Sequence, residues 1–201
     1  MIALSYEEKD FLYSWLKNLL SHELTEEQLI QYQLGEFSPL FEFLSAQGMA
    51  EEMRLIRNEL MKLYKIPFSH LELAADFSQL FLLDLTASAL PYASAYLEGN
   101  ALTKHLAFLD KLLSALQLAI NKTTKEPSDH LAVYLEILIH LEKNGDNAQV
   151  VHFINAYFLP WLKPFYHKAC SIHTQTRFYQ HVIMLLLTLL TNRISETISS
   201  Q

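Results

Sequence analysis

Apolar residues recur at helical spacing through almost the whole chain, and little interrupts them. In 201 residues there are only four glycines and six prolines, too few turn-formers for a sheet-rich fold. The opening segment sets the pattern: Phe11, Trp15 and Leu19 recur every four residues beside Leu12, Leu16 and Leu20, predicting one broad buried face. Ser5 and Glu8 precede it as a capping box, each side chain able to satisfy a free amide of the first turn. Thr25 with Gln28, and Ser69 with Glu72, repeat that spacing. Gly35 and Gly48 are placed to end helices, and Ser38–Pro39 to start one, since proline lacks an amide that would go unpaired there.

Further helices follow from the same reasoning. Met49, Met53, Ile56, Leu60 and Leu63 share a side, as do Leu73, Phe77, Leu80 and Phe81. A helix over about 101–120 turns Leu102, Leu106, Leu109, Leu113, Leu116 and Ile120 inward. Pro160 and Pro164 predict a break or kink. Residues 182–190 are apolar on nearly every side, as expected of a helix central in a core. The period lapses over 86–100, which predicts a long loop or a short helix from Pro91. The expected fold is all-α and compact. The polar stretch NKTTKEPSD predicts a hinge near 121–128, joining helical subdomains at 1–120 and 129–201.

Half the residues are hydrophobic and 18% are charged, which excludes intrinsic disorder. The net charge of −7 argues against nucleic acid as a partner, because phosphate binding needs a basic face, but suits a basic peptide. Cys170 is the single cysteine, so no internal disulfide forms. The N-terminus has no basic stretch of an export signal, and the longest apolar run falls well short of the ~20 residues that span a bilayer. A soluble cytoplasmic protein without membrane insertion is expected.

No Gly-rich phosphate loop or serine elbow is present. His167, Cys170 and His173 stand three apart, but His173 is rotated away from the other two on a helix, so no metal site is assigned. The segment KEPSDHLAVYLEIL, 125–138, admits two readings. Ser128 or Asp129 caps a helix, with the carboxylate favoured by the dipole and His130 held neutral in the first turn. Alternatively Glu126 and Asp129 form an acidic mouth beside an apolar groove, suited to a guanidinium. An enzyme with His130 as general base and an acidic adaptor that binds other proteins are the rival functions.

EPSDHLAVYLEILIHL at 126–141 resembles the E-P-x-D-H run of the TorD/DmsD/NarJ family of molybdoenzyme maturation chaperones. FSQLFLLDL followed by PYASAYL is similar to that family's aromatic-x-x-Leu-Phe stretch and its Pro-aromatic loop. FLPWLKPF and FYQHVIMLLLTLL fit its later helices. Tyr134, where many relatives carry glutamate, is similar to the branch serving trimethylamine-N-oxide reductase. The resemblance implies a non-catalytic chaperone that binds the twin-arginine signal peptide and the immature body of a molybdoenzyme. It would hold that client back from export and aid insertion of the molybdenum cofactor. It implies no tightly bound cofactor; weak GTP binding and a transient encounter with the molybdenum cofactor are family properties for which the chain shows no motif.

By position, the resemblance assigns peptide contact to Phe77, Leu80, Phe81, Pro91, Tyr92, Ser94 and Tyr96, and the hinge motif to Glu126, Asp129 and His130. The expected mechanism is a two-part grip, with client arginines on Asp129 and Glu126 and the peptide's apolar segment on Phe77, Phe81, Tyr92 and Tyr96. An extended hinge would give a domain-swapped homodimer in place of a monomer.

Overall fold

The computed structural model describes residues 4–116, 127–144 and 146–199, with side chains through residue 196. The architecture is all-α. Its helices are α1 (Tyr6–Ser21), α2 (Glu26–Gln33), α3 (Ser38–Leu44), α4 (Ala50–Leu63), α5 (Ser69–Phe81), α6 (Gly99–Ala115), α7 (Leu131–Asn144), α8 (Asn147–Phe153), α9 (Leu159–Ser171) and α10 (Phe178–Ser199). A π-helical turn, Ser45–Met49, links α3 to α4, and another, Ile154–Phe158, links α8 to α9.

Local chemistry sets most of these boundaries. Both capping boxes at the first two helices form: Ser5 with Glu8, and Thr25 with Gln28. The box expected at Ser69 and Glu72 does not. Ser69 is already helical, Phe68 stands before it in the left-handed region (φ 54, ψ 36), and the first turn closes on the backbone, Leu71 N–H donating to Phe68 O at 2.8 Å. Gly48, at φ 91, supplies the bend between α3 and α4, a conformation that costs glycine little. Pro160 sits in the first turn of α9 and Pro164 inside it.

The core is a single cluster, and it crosses the division expected at 121–128. Helix α1 lies along α7, and α4 along α10. Helix α10 is central as expected: Val182, Ile183, Leu185, Leu186 and Leu190 are buried, and the helix packs on α1, α4, α8 and α9. Each such side chain contributes about 1.5–3 kcal/mol by leaving water. One expected core residue faces solvent instead: Phe11 is 53% exposed, because α1 turns the adjacent stripe of Leu12, Trp15, Leu16 and Leu19 inward. Residues 121–126 of the expected hinge, and Ile120 at the expected end of α6, lie outside the described residues.

Polar groups buried in the core tie distant segments together. Glu142 of α7 accepts from Arg193 Nε of α10 at 2.6 Å and from Lys9 Nζ of α1 at 3.3 Å. Asp76 of α5 accepts from the backbone amides of Gln175 and Thr176, both at 2.7 Å, and from Thr176 Oγ1 at 2.6 Å. That carboxylate caps the turn leading into α10. Among the described residues no helix is long and apolar enough to cross a membrane.

Candidate functional site

Between α5 and α6 the chain runs through residues 82–98, and this loop is built rather than loose. The Asp84 carboxylate accepts from the amides of Thr86 and Ala87 at 2.8 and 3.1 Å, and from the Thr86 hydroxyl. These bonds hold the Asp84 carboxyl below the usual carboxylate range, the Thr86 hydroxyl contributing most. Ser88 donates to Gln79 O at 2.7 Å and accepts from Leu83 N–H at 3.1 Å. Ala89 N–H donates to Leu80 O at 2.7 Å. Lys168 of α9 donates to Thr86 O from outside. This braced turn presents Leu82, Leu83 and Leu85 to solvent, at 64%, 45% and 52% exposure. Three exposed leucines on an ordered turn form an apolar shelf, an arrangement that marks interaction surfaces.

The second half of the loop is clasped to the start of α7. Leu131 N–H donates to Pro91 O at 2.8 Å and Ala93 N–H to Asp129 O at 3.0 Å, an antiparallel bridge that sets Tyr92 opposite His130. The two rings meet edge to face, with centroids 5.0 Å apart. Asp129 Oδ2 accepts from Ser94 N–H at 2.9 Å, at the opening of a short 3-10 turn, Ala93–Ala95. That single turn is all the helix that forms between Pro91 and α6. His130 Nδ1 accepts from Ala132 N–H at 3.2 Å, a role only the neutral ring can fill.

The expected site residues therefore separate into three groups. Phe77, Leu80 and Phe81 are core, at 4%, 0% and 3% exposure; Phe77 and Phe81 pack on each other and on Tyr179. They support the loop from beneath and present no surface to a ligand. Pro91, Asp129 and His130 are also buried, the last two at 5% and 6%. The Asp129 carboxylate is turned into the protein and braces the loop, so it is not a free grip for a client arginine. Ser94 is exposed, while Tyr92 and Tyr96 are half-buried. The Tyr96 ring stacks on Trp161, and its hydroxyl, buried with no hydrogen-bond partner among the described residues, is pushed well above its ordinary pKa by burial. Glu126 lies outside the described residues.

A residue not foreseen in the sequence completes the arrangement. His105 of α6 is 5% exposed and hydrogen-bonds the Tyr134 hydroxyl of α7. Burial lowers the His105 pKa, and the nearby Asp129 charge opposes that shift. Tyr134 packs edge to face on Trp161, 4.9 Å between centroids. Burial, reinforced by Asp129, drives its hydroxyl far above the ordinary range and keeps it protonated. The signal for His105 was present, since it falls on the Leu102, Leu106 and Leu109 stripe. His130, with its Nδ1 engaged by a backbone amide and its ring buried, is in a structural position rather than that of a general base. Among the described residues no group of three or more His, Cys, Asp or Glu is placed to hold a metal ion.

Comparison with known sequences places relatives around this geometry. Residues 45–167 match the family model described as nitrate reductase delta subunit. A chaperone protein TorD of Histophilus somni is 58% identical over 190 residues, which cover 94% of this chain and 98% of that protein. A chaperone protein TorD of Pasteurella multocida is 48% identical, over 94% of this chain and 97% of that protein. One from Salmonella schwarzengrund is 36% identical, over 92% of this chain and 89% of its own length.

Proposed function

The chain belongs to the nitrate reductase delta subunit family, and its relatives there are chaperones, not enzymes; on that premise we propose that it binds the twin-arginine signal peptide and immature body of a molybdoenzyme in the cytoplasm. The observation that carries this reading is the leucine shelf. A loop pinned by three side-chain carboxylate and hydroxyl braces holds Leu82, Leu83 and Leu85 out to solvent, and the half-buried Tyr92 and Tyr96 lie on the same loop. An extended or helical apolar peptide segment gains its affinity from such a surface, while charges at the rim set its register.

The exposed carboxylates bordering the loop are Asp84 and Glu98, and they take the role of meeting the client's arginines. Asp129 works one step back, by fixing the loop through Ser94. Trimethylamine-N-oxide reductase is the proposed client, on the strength of Tyr134 and of the relatives' shared name. Holding the leader delays export until the molybdenum cofactor is in place. The protein acts as a monomer or as a dimer that exchanges the α1–α7 and α4–α10 pairings between chains. Sedimentation across a concentration series distinguishes the two.

Calorimetric titration with a synthetic leader peptide of a trimethylamine-N-oxide reductase tests the reading. Leu83→Glu with Leu85→Glu should weaken binding by about 2 kcal/mol or more, since the two exposed leucines would each lose apolar contact and introduce a charge. Unchanged affinity in the double variant removes the shelf from the contact.

A further inference from the structure

Helix α6 is attached differently from the helices around it. Of its 17 residues only His105, Leu109 and Leu113 are buried, a stripe one residue wide at four-residue spacing. Leu106, Phe108, Leu112 and Leu116 reach the core but stay half-buried, so its apolar face is wider than the seat that receives it. Among the described residues no helix packs its backbone along α6, nor along α5, whereas α1 and α7 lie together along their length; α5 compensates by burying five side chains, Leu73, Asp76, Phe77, Leu80 and Phe81, where α6 buries three.

Its ends are weakly made as well. The residue before it, Glu98, gives no side-chain cap; its first residue, Gly99, has φ 55; and its first turn carries no acidic residue and its last turn no basic one. Helices α1 and α2 each open on a complete capping box, while α4 and α5, like α6, start without a side-chain cap. Beside the buried Leu109 and Leu113, two side-chain pins hold α6. One is His105 on the Tyr134 hydroxyl, and the other is Phe108 stacked on Tyr157 with centroids 3.5 Å apart. Tyr157 itself stands on the π-helical turn Ile154–Phe158, a backbone form that recurs where function demands an irregularity.

Underneath α6, therefore, is a seat lined by Tyr134, Tyr157 and their aromatic neighbours, and it already accepts an amphipathic helix. We propose that α6 is a displaceable strap: in the free protein it occupies the seat of an apolar client helix, and it lifts away when such a segment binds. The proposal rests on the reading of the protein as a holder of polypeptides and adds how the seat is kept closed. The client segment it fits is a short helix with leucine or phenylalanine every three to four residues, the pattern α6 itself presents. A seat closed by its own chain keeps aromatic surface from water until a client arrives, and lowers apparent affinity by the fraction of molecules that are open.

Native-state hydrogen exchange on the free, full chain tests the strap without any variant. The α6 amides should exchange about a hundredfold or more faster than those of α1 and α7, through an opening that leaves the rest folded. Protection of α6 equal to that of α1 and α7 overturns the proposal and leaves the chaperone reading standing. The second arm titrates the synthetic leader peptide of a trimethylamine-N-oxide reductase into the wild type and into His105→Ala with Phe108→Ala. Severalfold tighter binding by the loosened variant supports the strap; equal or weaker binding by a variant whose circular dichroism is native overturns it. If neither protein binds the peptide, the holding reading fails and takes the strap with it; uniform protection with binding intact fails the strap alone.

Discussion

At the scale of single residues, two buried carboxylates, Asp76 and Asp129, are the decisive groups, and both serve backbone amides. Asp76 serves three donors at the entry to α10, and Asp129 serves Ser94 at the clasp. Hydrogen bonds to a buried charge are worth about 1.5–3 kcal/mol, and losing the acceptor leaves the donors unpaired. Asp76→Ala should therefore lower unfolding stability by about 3 kcal/mol in urea titration. Asp129→Ala should cost about 1–3 kcal/mol and loosen residues 92–96 first. A larger loss at Asp129 than at Asp76 would invert the assignment. Sequence reasoning saw Asp129 because it stands before a helix, and missed Asp76 because it stands within one. Its position three after Leu73 and four before Leu80 was the available sign. That Asp129 is buried and accepts from Ser94 was not legible: whether a capping carboxylate faces solvent depends on what the distant loop 92–96 brings to it, and spacing holds no record of that.

At the scale of elements, local chemistry predicted most starts and stops. Both boxes that formed sit where a polar residue precedes the first helical turn; at Ser69 the preceding Phe68 takes the left-handed region and the helix begins early. Gly48 is an element-scale device. Beyond its chain neighbours and its own helix backbone, no atom lies within 4 Å of where a Cβ would stand, so Gly48→Ala tests backbone strain alone. It should cost about 1 kcal/mol, read from thermal unfolding, because φ 91 disfavours any side chain. The α6 attachment has a pH signature. His105 is neutral when folded because burial lowers its pKa, so the unfolded chain takes up a proton first as pH falls through about 6.5. Stability contributed by His105 is full above that pH and declines below it. Urea midpoints should fall from pH 7 to pH 5.5, and His105→Gln should flatten the decline. His181, half-buried and likewise lowered by its burial, adds a share that the His105 variant leaves in place.

At the scale of the whole molecule, the helical class and its central last helix were legible from periodicity alone. The union of the two halves was not. Residues on either side of 121–128 each carry complete amphipathic faces, and a pattern of faces does not say which face meets which. The structure answers with α1 on α7 and with the Lys9–Glu142–Arg193 link across three helices. Arg193→Leu should destabilise the fold by roughly 2–4 kcal/mol, since Glu142 would stay buried with Lys9 as its remaining cation among these three.

If this molecule holds a polypeptide on the loop between α5 and α6, a bound leader can be caught there. The most direct measurement is photo-crosslinking of a synthetic twin-arginine leader peptide, with a photoreactive phenylalanine in its apolar segment, followed by mass-spectrometric mapping of the adducts. Adducts within residues 82–98, with any others in the aromatic seat beneath α6 at Tyr134 and Tyr157, are the predicted result. Adducts confined to surfaces outside both would contradict this holding role.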